Sequence, residues 1–387
     1  MSAATSAPID GVCDPRFAAV REAFAGNFAQ HGEIGAGVTL FCGGRKVVDL
    51  WGGWADRART RPWTEDTLVN FFSIGKAITA TCVLRLVQRG MLDLDAPVMR
   101  WWPAFGAAGK ADINLRQLMA HRAGLPAIGP PLLRAGTMLD WDVMVGRLAA
   151  QAPWWAPGDG HGYHVNTFGY LLGEPVRRAA GMTMGALLRE EIAGPLGADV
   201  HIGLPLSEHG RVAEFCYAQR PAPAPGDPPP PPPRRPATHD ELMRACAYNN
   251  PPGVSGGVYV NTEGWRLAEI PSTNGHGTAR GVARVYQGLL EGLIDADLLG
   301  EATTEHAAGH DRILERPSRF GLGYQLTQPE RPLGPNAGAF GHFGAGGSLG
   351  FCDPDAGVAF GYVMNDMGPR WQNPRNKALI EAVYRCI

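Results

Sequence analysis

Phe71-Phe72-Ser73-Ile74-Gly75-Lys76 stands where an aromatic-rich extended stretch gives way to a long apolar segment, Ala77 to Val87. That segment carries Ile78, Ala80, Cys82, Val83, Leu84, Leu86 and Val87, which predicts a helix apolar on nearly every side and therefore buried. Ser73 and Lys76 are three residues apart, close to one helical turn, and project from the same face. A serine hydroxyl is a weak nucleophile at neutral pH and needs a neighbour to take its proton. A lysine amine can do so only where burial or a nearby cation lowers its pKa. A helix bound for the core carries Lys76 to such a place. The competing account is a Ser N-cap followed by an ordinary first-turn lysine. It fits poorly, because a cation at a helix N-terminus opposes the dipole and a buried one is costly.

The 387 residues suffice for one large or two ordinary domains with an ample core. Thirty-five basic against 37 acidic residues leave a net charge of −2, which argues against a nucleic-acid footprint and a polybasic membrane anchor. No stretch approaches the ~18 continuous apolar residues of a membrane span. Met1-Ser2-Ala3-Ala4-Thr5-Ser6 has neither the basic start nor the apolar run of a secretion signal. The seven cysteines (Cys13, Cys42, Cys82, Cys216, Cys246, Cys352 and Cys386) are odd in number and show no Cys-x-x-Cys spacing. They read as reduced thiols, and the expectation is a cytoplasmic globular protein that meets small molecules rather than nucleic acid or membrane.

Ahead of the Ser73 segment, Phe17, Val20, Phe24 and Phe28 predict a helix, and Gly37 to Cys42 with Val47 to Trp51 predict a hairpin about Gly43-Gly44. From Ser73 to about 250 the pattern is mostly helical, with Leu115 to His121, Trp141 to Ala150 and Thr167 to Ala180 as examples. After about 255 strands are expected again: Val258 to Val260, Phe320 to Leu326, and Ser348 to Cys352 paired with Val358 to Met364. Asn373-Pro374, a cap followed by a first-turn proline, announces a closing helix. This order predicts an α+β fold whose antiparallel sheet, flanked by helices, is built from both chain ends (about 1–72 and 255–387). A helical subdomain (about 73–254) lies between them. Pro221 to Pro236 must be largely polyproline II. It reads as a stiff surface excursion, with a ligand for a proline-binding module as the alternative.

In this layout Ser73-Ile74-Gly75-Lys76 resembles the Ser-x-x-Lys motif of the serine β-lactamase and penicillin-binding protein superfamily. Leu118-Met119-Ala120-His121-Arg122-Ala123-Gly124-Leu125 resembles its "L-L-x-H-x-S-G-L" segment. Gly162-Tyr163-His164-Val165-Asn166 looks like its tyrosine motif, and Gly341-His342-Phe343-Gly344-Ala345-Gly346-Gly347 is similar to its third motif. The four matches fall in order across about residues 15–385, and the esterase branch akin to class C β-lactamases, the family VIII carboxylesterases, is the variant most resembled. The resemblance implies a β-lactamase-like serine hydrolase with its active site in the groove between the sheet and the helical subdomain, in which Ser73 is acylated and Lys76 and Tyr163 share the proton traffic. The phenol of Tyr163 would act as base if the lysine's charge stabilised a phenolate. The N–H groups of Ser73 and Ala345 would hold the oxyanion, with Gly344 and Gly346 letting the strand approach closely. His342 and Phe343 stand beside them. Trp154, Trp155 and Phe343 are candidates for an apolar acyl pocket, with core packing as the competing account.

The departures shape the substrate expectation. Val165 stands two residues after Tyr163, where related lactamases carry asparagine, and Asn166 comes one residue late. His342 replaces a lysine that would grip a carboxylate, and a neutral imidazole supplies no fixed charge. An esterase of small, short-acyl substrates is therefore expected, with weak β-lactam hydrolysis. A transacylase, amidase, β-lactamase or DD-peptidase on the same scaffold is the alternative, and a non-catalytic binder is the alternative of another class. Ser255 and Ser348 both fit Gly-x-Ser-x-Gly, but no histidine follows Ser348, and Ser255 lacks the strand-turn-helix context. The pairs His161/His164 and His306/His310 lack the glutamate of His-Glu-x-x-His and read as surface or loop histidines. Neither metal nor cofactor is expected.

Overall fold

Apolar runs from the two ends of the chain pair into one sheet. The computed structural model describes residues 7–217 and 235–387. Residues 221–234 of the proline-rich stretch, expected to be polyproline II, lie outside the described residues. β1 (Ile9–Cys13), β2 (Gly35–Cys42) and β3 (Arg45–Gly53) come from the N-terminal end. Three two-residue strands, β4 (Val69–Asn70), β5 (Val200–His201) and β6 (His276–Gly277), form a small separate sheet. β7 (Ala307–Asp311), β8 (Arg316–Phe320), β9 (Gln325–Leu326), β10 (Phe340–Phe343), β11 (Leu349–Asp353) and β12 (Val358–Met364) complete the large one. Its order is β1-β3-β2-β12-β11-β10-β9-β8-β7, antiparallel throughout. The two chain ends meet where β12 pairs with β2, from Val358 opposite Cys42 to Met364 opposite Ala36.

The segment Ile74–Gln88 is a helix with nearly every residue buried. It packs against β10 and against the helices Thr167–Ala180 and Met184–Leu188. Each fully buried Leu, Ile or Val along it contributes on the order of 1.5–3 kcal/mol, so packing rather than Lys76 sets its position. Helix Ala279–Leu290 lies across β12, β2 and β11, and Ala18–Gln30 packs on the C-terminal helix Pro374–Tyr384. Among the described residues no helix is long and apolar enough to cross a membrane.

Several local readings change. The large sheet does not resume at 255: apart from the two-residue β6, the helices Glu263–Leu267, Ala279–Leu290 and Ala296–Ala302 come before β7. Val282, Ala283, Val285, Tyr286 and Leu289 form a buried stripe of helical period that decides the second of these. Gly257–Tyr259 is a 3-10 turn rather than a strand, and Phe320 to Leu326 breaks between β8 and β9, where Gly323 adopts a φ of +81°. β1 carried no periodic signal of its own.

Candidate active site

Lys76 is 0 % exposed, and its Nζ lies 3.2 Å from Ser73 Oγ. The amine donates to the carbonyl of Ser272 at 2.8 Å and sits 4.8 Å from the centre of the Tyr163 ring. Among the described residues it makes no ion pair. Burial therefore holds its pKa well below the usual lysine value, which favours the uncharged amine. Gly75 explains how the Ser272 carbonyl reaches this place. A Cβ at Gly75 would meet the carbonyl oxygen of Pro271 at 2.4 Å, so only glycine lets the 271–272 segment lie against the helix start. Immediately before Ser73, Phe72 adopts a φ of +52°, which is uncommon for a bulky residue, and its ring is held edge-on by Phe215 at 4.8 Å. Such strain recurs where a backbone is forced into a functional shape.

Tyr163 is buried among aromatic rings. It stacks on Phe320 at 5.8 Å and meets Trp371 edge-on at 5.1 Å, His121 at 5.0 Å and His342 at 6.0 Å. Its N–H is shared between the two carboxylate oxygens of buried Asp311, at 3.0 and 3.1 Å. Asp311 also accepts from the N–H groups of Ile313 and Leu314 and from the Ser318 hydroxyl. The phenol itself has no hydrogen-bond partner at ordinary distance. Burial pushes its pKa well above the usual value, and the nearby Ser73 hydroxyl offsets this only in part. Burial thus opposes the phenolate expected on Tyr163, while it favours the uncharged amine of Lys76.

On the sheet side, β10 delivers His342 and Phe343, and the turn Gly344 to Gly347 follows. His342 is buried, with its Nδ1 2.7 Å from the carbonyl oxygen of Phe343. Burial and the neighbouring Lys76 lower its pKa to about 3, so it is neutral. Gly344 abuts the nucleophile segment: a Cβ there would lie 2.3 Å from the carbonyl oxygen of Phe71. Among the described residues the N–H groups of Ser73 and Ala345 have no partner. Phe343 borders a shallow cleft of only about 10 Å³ shared with Phe320, Gln325 and Leu326. Trp155 instead packs over Gly162, beneath the Tyr163 loop, with the Arg312 guanidinium 5.3 Å from its ring. Trp154 donates to the carbonyl of Ala127.

Asn166 is buried and spends its amide on Ala247, Ser255 and Thr273, so it faces the scaffold. Ser255 donates to the carbonyl of Tyr248 and Ser348 to that of Phe71. His161 and His164 are buried and hydrogen-bonded rather than surface groups, whereas His306 is half-buried and His310 exposed. Among the described residues no group of three or more His, Cys, Asp or Glu side chains is placed to hold a metal ion.

Sequence reasoning missed Ser272, Asp311, Phe320 and Trp371. Asp311-Arg312-Ile313-Leu314 carries a legible turn signal, because an aspartate caps the N–H groups two and three residues on. Its bond to Tyr163, 148 residues away, has no local signal.

The chain matches the family described as Beta-lactamase over residues 20–385. It is 38% identical over 375 residues to the esterase/beta-lactamase LipL of Mycobacterium tuberculosis (strain ATCC 25618 / H37Rv), covering 92% of this chain and 82% of that one. A crystal structure of a family VIII carboxylesterase superposes with a TM-score of 0.88 at 39% identity, over 98% of this chain and 100% of the other. A penicillin-binding protein homolog from Caulobacter crescentus gives a TM-score of 0.87 at 41% identity, over the same shares.

Proposed function

The chain belongs to the β-lactamase family and is a serine hydrolase of its carboxylesterase branch, and we propose that it cleaves small, short-acyl esters through an acyl-enzyme on Ser73. The observation that carries this reading is the fully buried Lys76 amine 3.2 Å from Ser73 Oγ, with Ser272 occupying one of its N–H groups and burial favouring the uncharged form. Its lone pair is free to take the serine proton as Oγ attacks the ester carbonyl. The N–H groups of Ser73 and Ala345 receive the oxyanion. As the carbon–oxygen bond breaks, the proton passes from Lys76 through the Tyr163 hydroxyl to the leaving alcohol. Water then repeats the sequence, releasing the acid and returning the proton to Ser73. Neutral His342 leaves the third motif without fixed charge, which supports an uncharged substrate. Seven unpaired cysteines fit a reducing compartment, the cytoplasm.

The reading is tested by turnover of p-nitrophenyl butyrate, together with mass spectrometry after a serine-directed phosphonate. Label on Ser73, and loss of both label and turnover in Ser73→Ala, are expected. A label on another serine, or no turnover, overturns the assignment.

One observation favours β-lactam hydrolysis as a second activity. Arg316 lies on the same face of β8 as Phe320, 4.9 Å from the Trp371 ring, and makes no ion pair among the described residues. Such a guanidinium can meet a β-lactam carboxylate. Hydrolysis of a penicillin or cephalosporin that weakens in Arg316→Gln supports this activity, and no β-lactam turnover sinks it.

A further inference from the structure

Ser348 is a buried serine that the reaction leaves unused. Its hydroxyl donates to the carbonyl of Phe71 at 2.9 Å, two residues before the nucleophile, and its own carbonyl accepts from the Gly344 N–H at 2.7 Å. One residue therefore links the segment that carries Ser73 to the turn that carries Ala345, across 277 positions of sequence. The two segments are in direct contact, since a Cβ on Gly344 would fall 2.1 Å from Ser348 Oγ and 2.3 Å from the Phe71 oxygen. The far side of the turn is held separately. Asn373 Nδ2 donates to the carbonyl of Gly346 at 2.9 Å, and Asn376 Nδ2 to that of Gly347 at 2.8 Å. Both asparagines belong to the capped start of the C-terminal helix. Among the described residues, the Ser348 hydroxyl makes the one hydrogen bond between residues 344–348 and residues 70–76. It ends on the peptide unit that leads into Phe72, whose φ of +52° needs an external hold.

We infer that Ser348 is a positioning residue whose bond to Phe71 sets the separation of the two oxyanion donors, the N–H groups of Ser73 and Ala345. The inference rests on the acyl-enzyme reading above. Both donors must converge at hydrogen-bond distance on one oxygen that exists only in the transition state. A shift of the turn therefore weakens transition-state binding far more than substrate binding.

The test is Ser348→Ala, measured as kcat and KM on p-nitrophenyl butyrate, as inhibition by a phenylboronic acid, and as thermal stability. The boronate forms a tetrahedral adduct with the nucleophile and places an oxygen where the oxyanion would sit. The expected result is a roughly 10- to 100-fold fall in kcat, a parallel loss of boronate affinity and little change in KM. The acid limb of the pH profile stays in place, because Lys76 is untouched. Ser348→Cys, similar in size with a weak donor, is expected to fall between wild type and Ser348→Ala, and it carries the test if the alanine variant does not fold. Unchanged kcat and boronate affinity, with Ser73 still labelled by phosphonate, would overturn this inference and leave the acyl-enzyme reading standing. Full activity in Ser73→Ala would remove both.

Discussion

The amine of Lys76 is held by the carbonyl of Ser272 at 2.8 Å and meets no carboxylate. A neutral amine has two hydrogens and one lone pair. The carbonyl takes a hydrogen, so the lone pair can turn toward Ser73. A dry site without counter-charge thus favours the uncharged amine, the form that the proposed base role requires.

Replacement of Lys76 separates base from packing. In Lys76→Arg the guanidinium stays protonated, so the first-order acylation rate should fall roughly 10²–10⁴-fold. Lys76→Met should lose as much rate yet melt at or above the wild-type temperature, because it removes a buried polar group. Stopped-flow acylation and thermal melts read the two effects. Retention of more than about a tenth of the rate in either variant would assign the base elsewhere.

The pH profile follows from the opposite shifts of the two groups. Lys76 is depressed by burial and Tyr163 raised by it. Activity should rise with pH as Lys76 loses its proton and show no alkaline limb below about pH 9, since the phenol keeps its proton there. His342, at about 3, contributes no limb near neutrality. A kcat/KM profile of wild type and His342→Asn should share one acid limb. Lys76 also acts on stability, because the unfolded chain binds a proton that the native one lacks. Stability from this group therefore rises with pH between the native Lys76 value and 10.5.

Tyr163→Phe removes a buried hydroxyl that, among the described residues, has no partner at ordinary hydrogen-bond distance. The ring still fills the space among Phe320, His121 and Trp371. The melting temperature should stay level or rise, while kcat falls roughly 10²–10⁴-fold. A loss of stability with kcat intact would mean the tyrosine is there for packing alone.

Gly75→Ala should push a methyl group against the Pro271 carbonyl, where the ideal distance is 2.4 Å. Overpacking of this kind costs about 1–3 kcal/mol. The displaced segment carries Ser272, so kcat should drop together with stability in denaturant unfolding. A wild-type unfolding midpoint would show that the segment yields without cost.

Glu33 is buried against Arg375, Tyr362 and Asp366, and burial pushes its pKa up to about 7. The native state therefore holds a proton that the unfolded state releases from about pH 4.5 upward. The stability this group supplies is present on the acid side and lost as pH rises through about 7. Glu33→Gln should flatten that part of the stability curve measured by urea unfolding across the range. An unchanged slope would place the titration in another group.

The readings that stand rest on local signals of strong period. Thr167–Ala180 and Trp141–Ala150 are helices with the expected bounds, and β11 pairs with β12 as the Asp353-Pro354-Asp355-Ala356-Gly357 turn suggested. The region after 255 failed because Val258-Tyr259-Val260 looks like a strand only until Gly256, at a φ of +99°, turns the chain away. In the site, Ser73 and Lys76 were legible because one helical turn brings them together whatever else the chain does.

By itself the sequence determined that Ser73 and Lys76 lie together, and it carried the motifs around them. A helix apolar on every side must be buried, and residues three apart on it must share a face. Tertiary structure alone decided the protonation of that pair, since this depends on which groups surround Lys76 from Ser272, Tyr163 and His342, each far away in the chain. It also decided that Asp311 holds Tyr163 and that Ser348 meets Phe71. Dielectric surroundings and close approach are properties of distances between remote segments, and a linear pattern carries no distances.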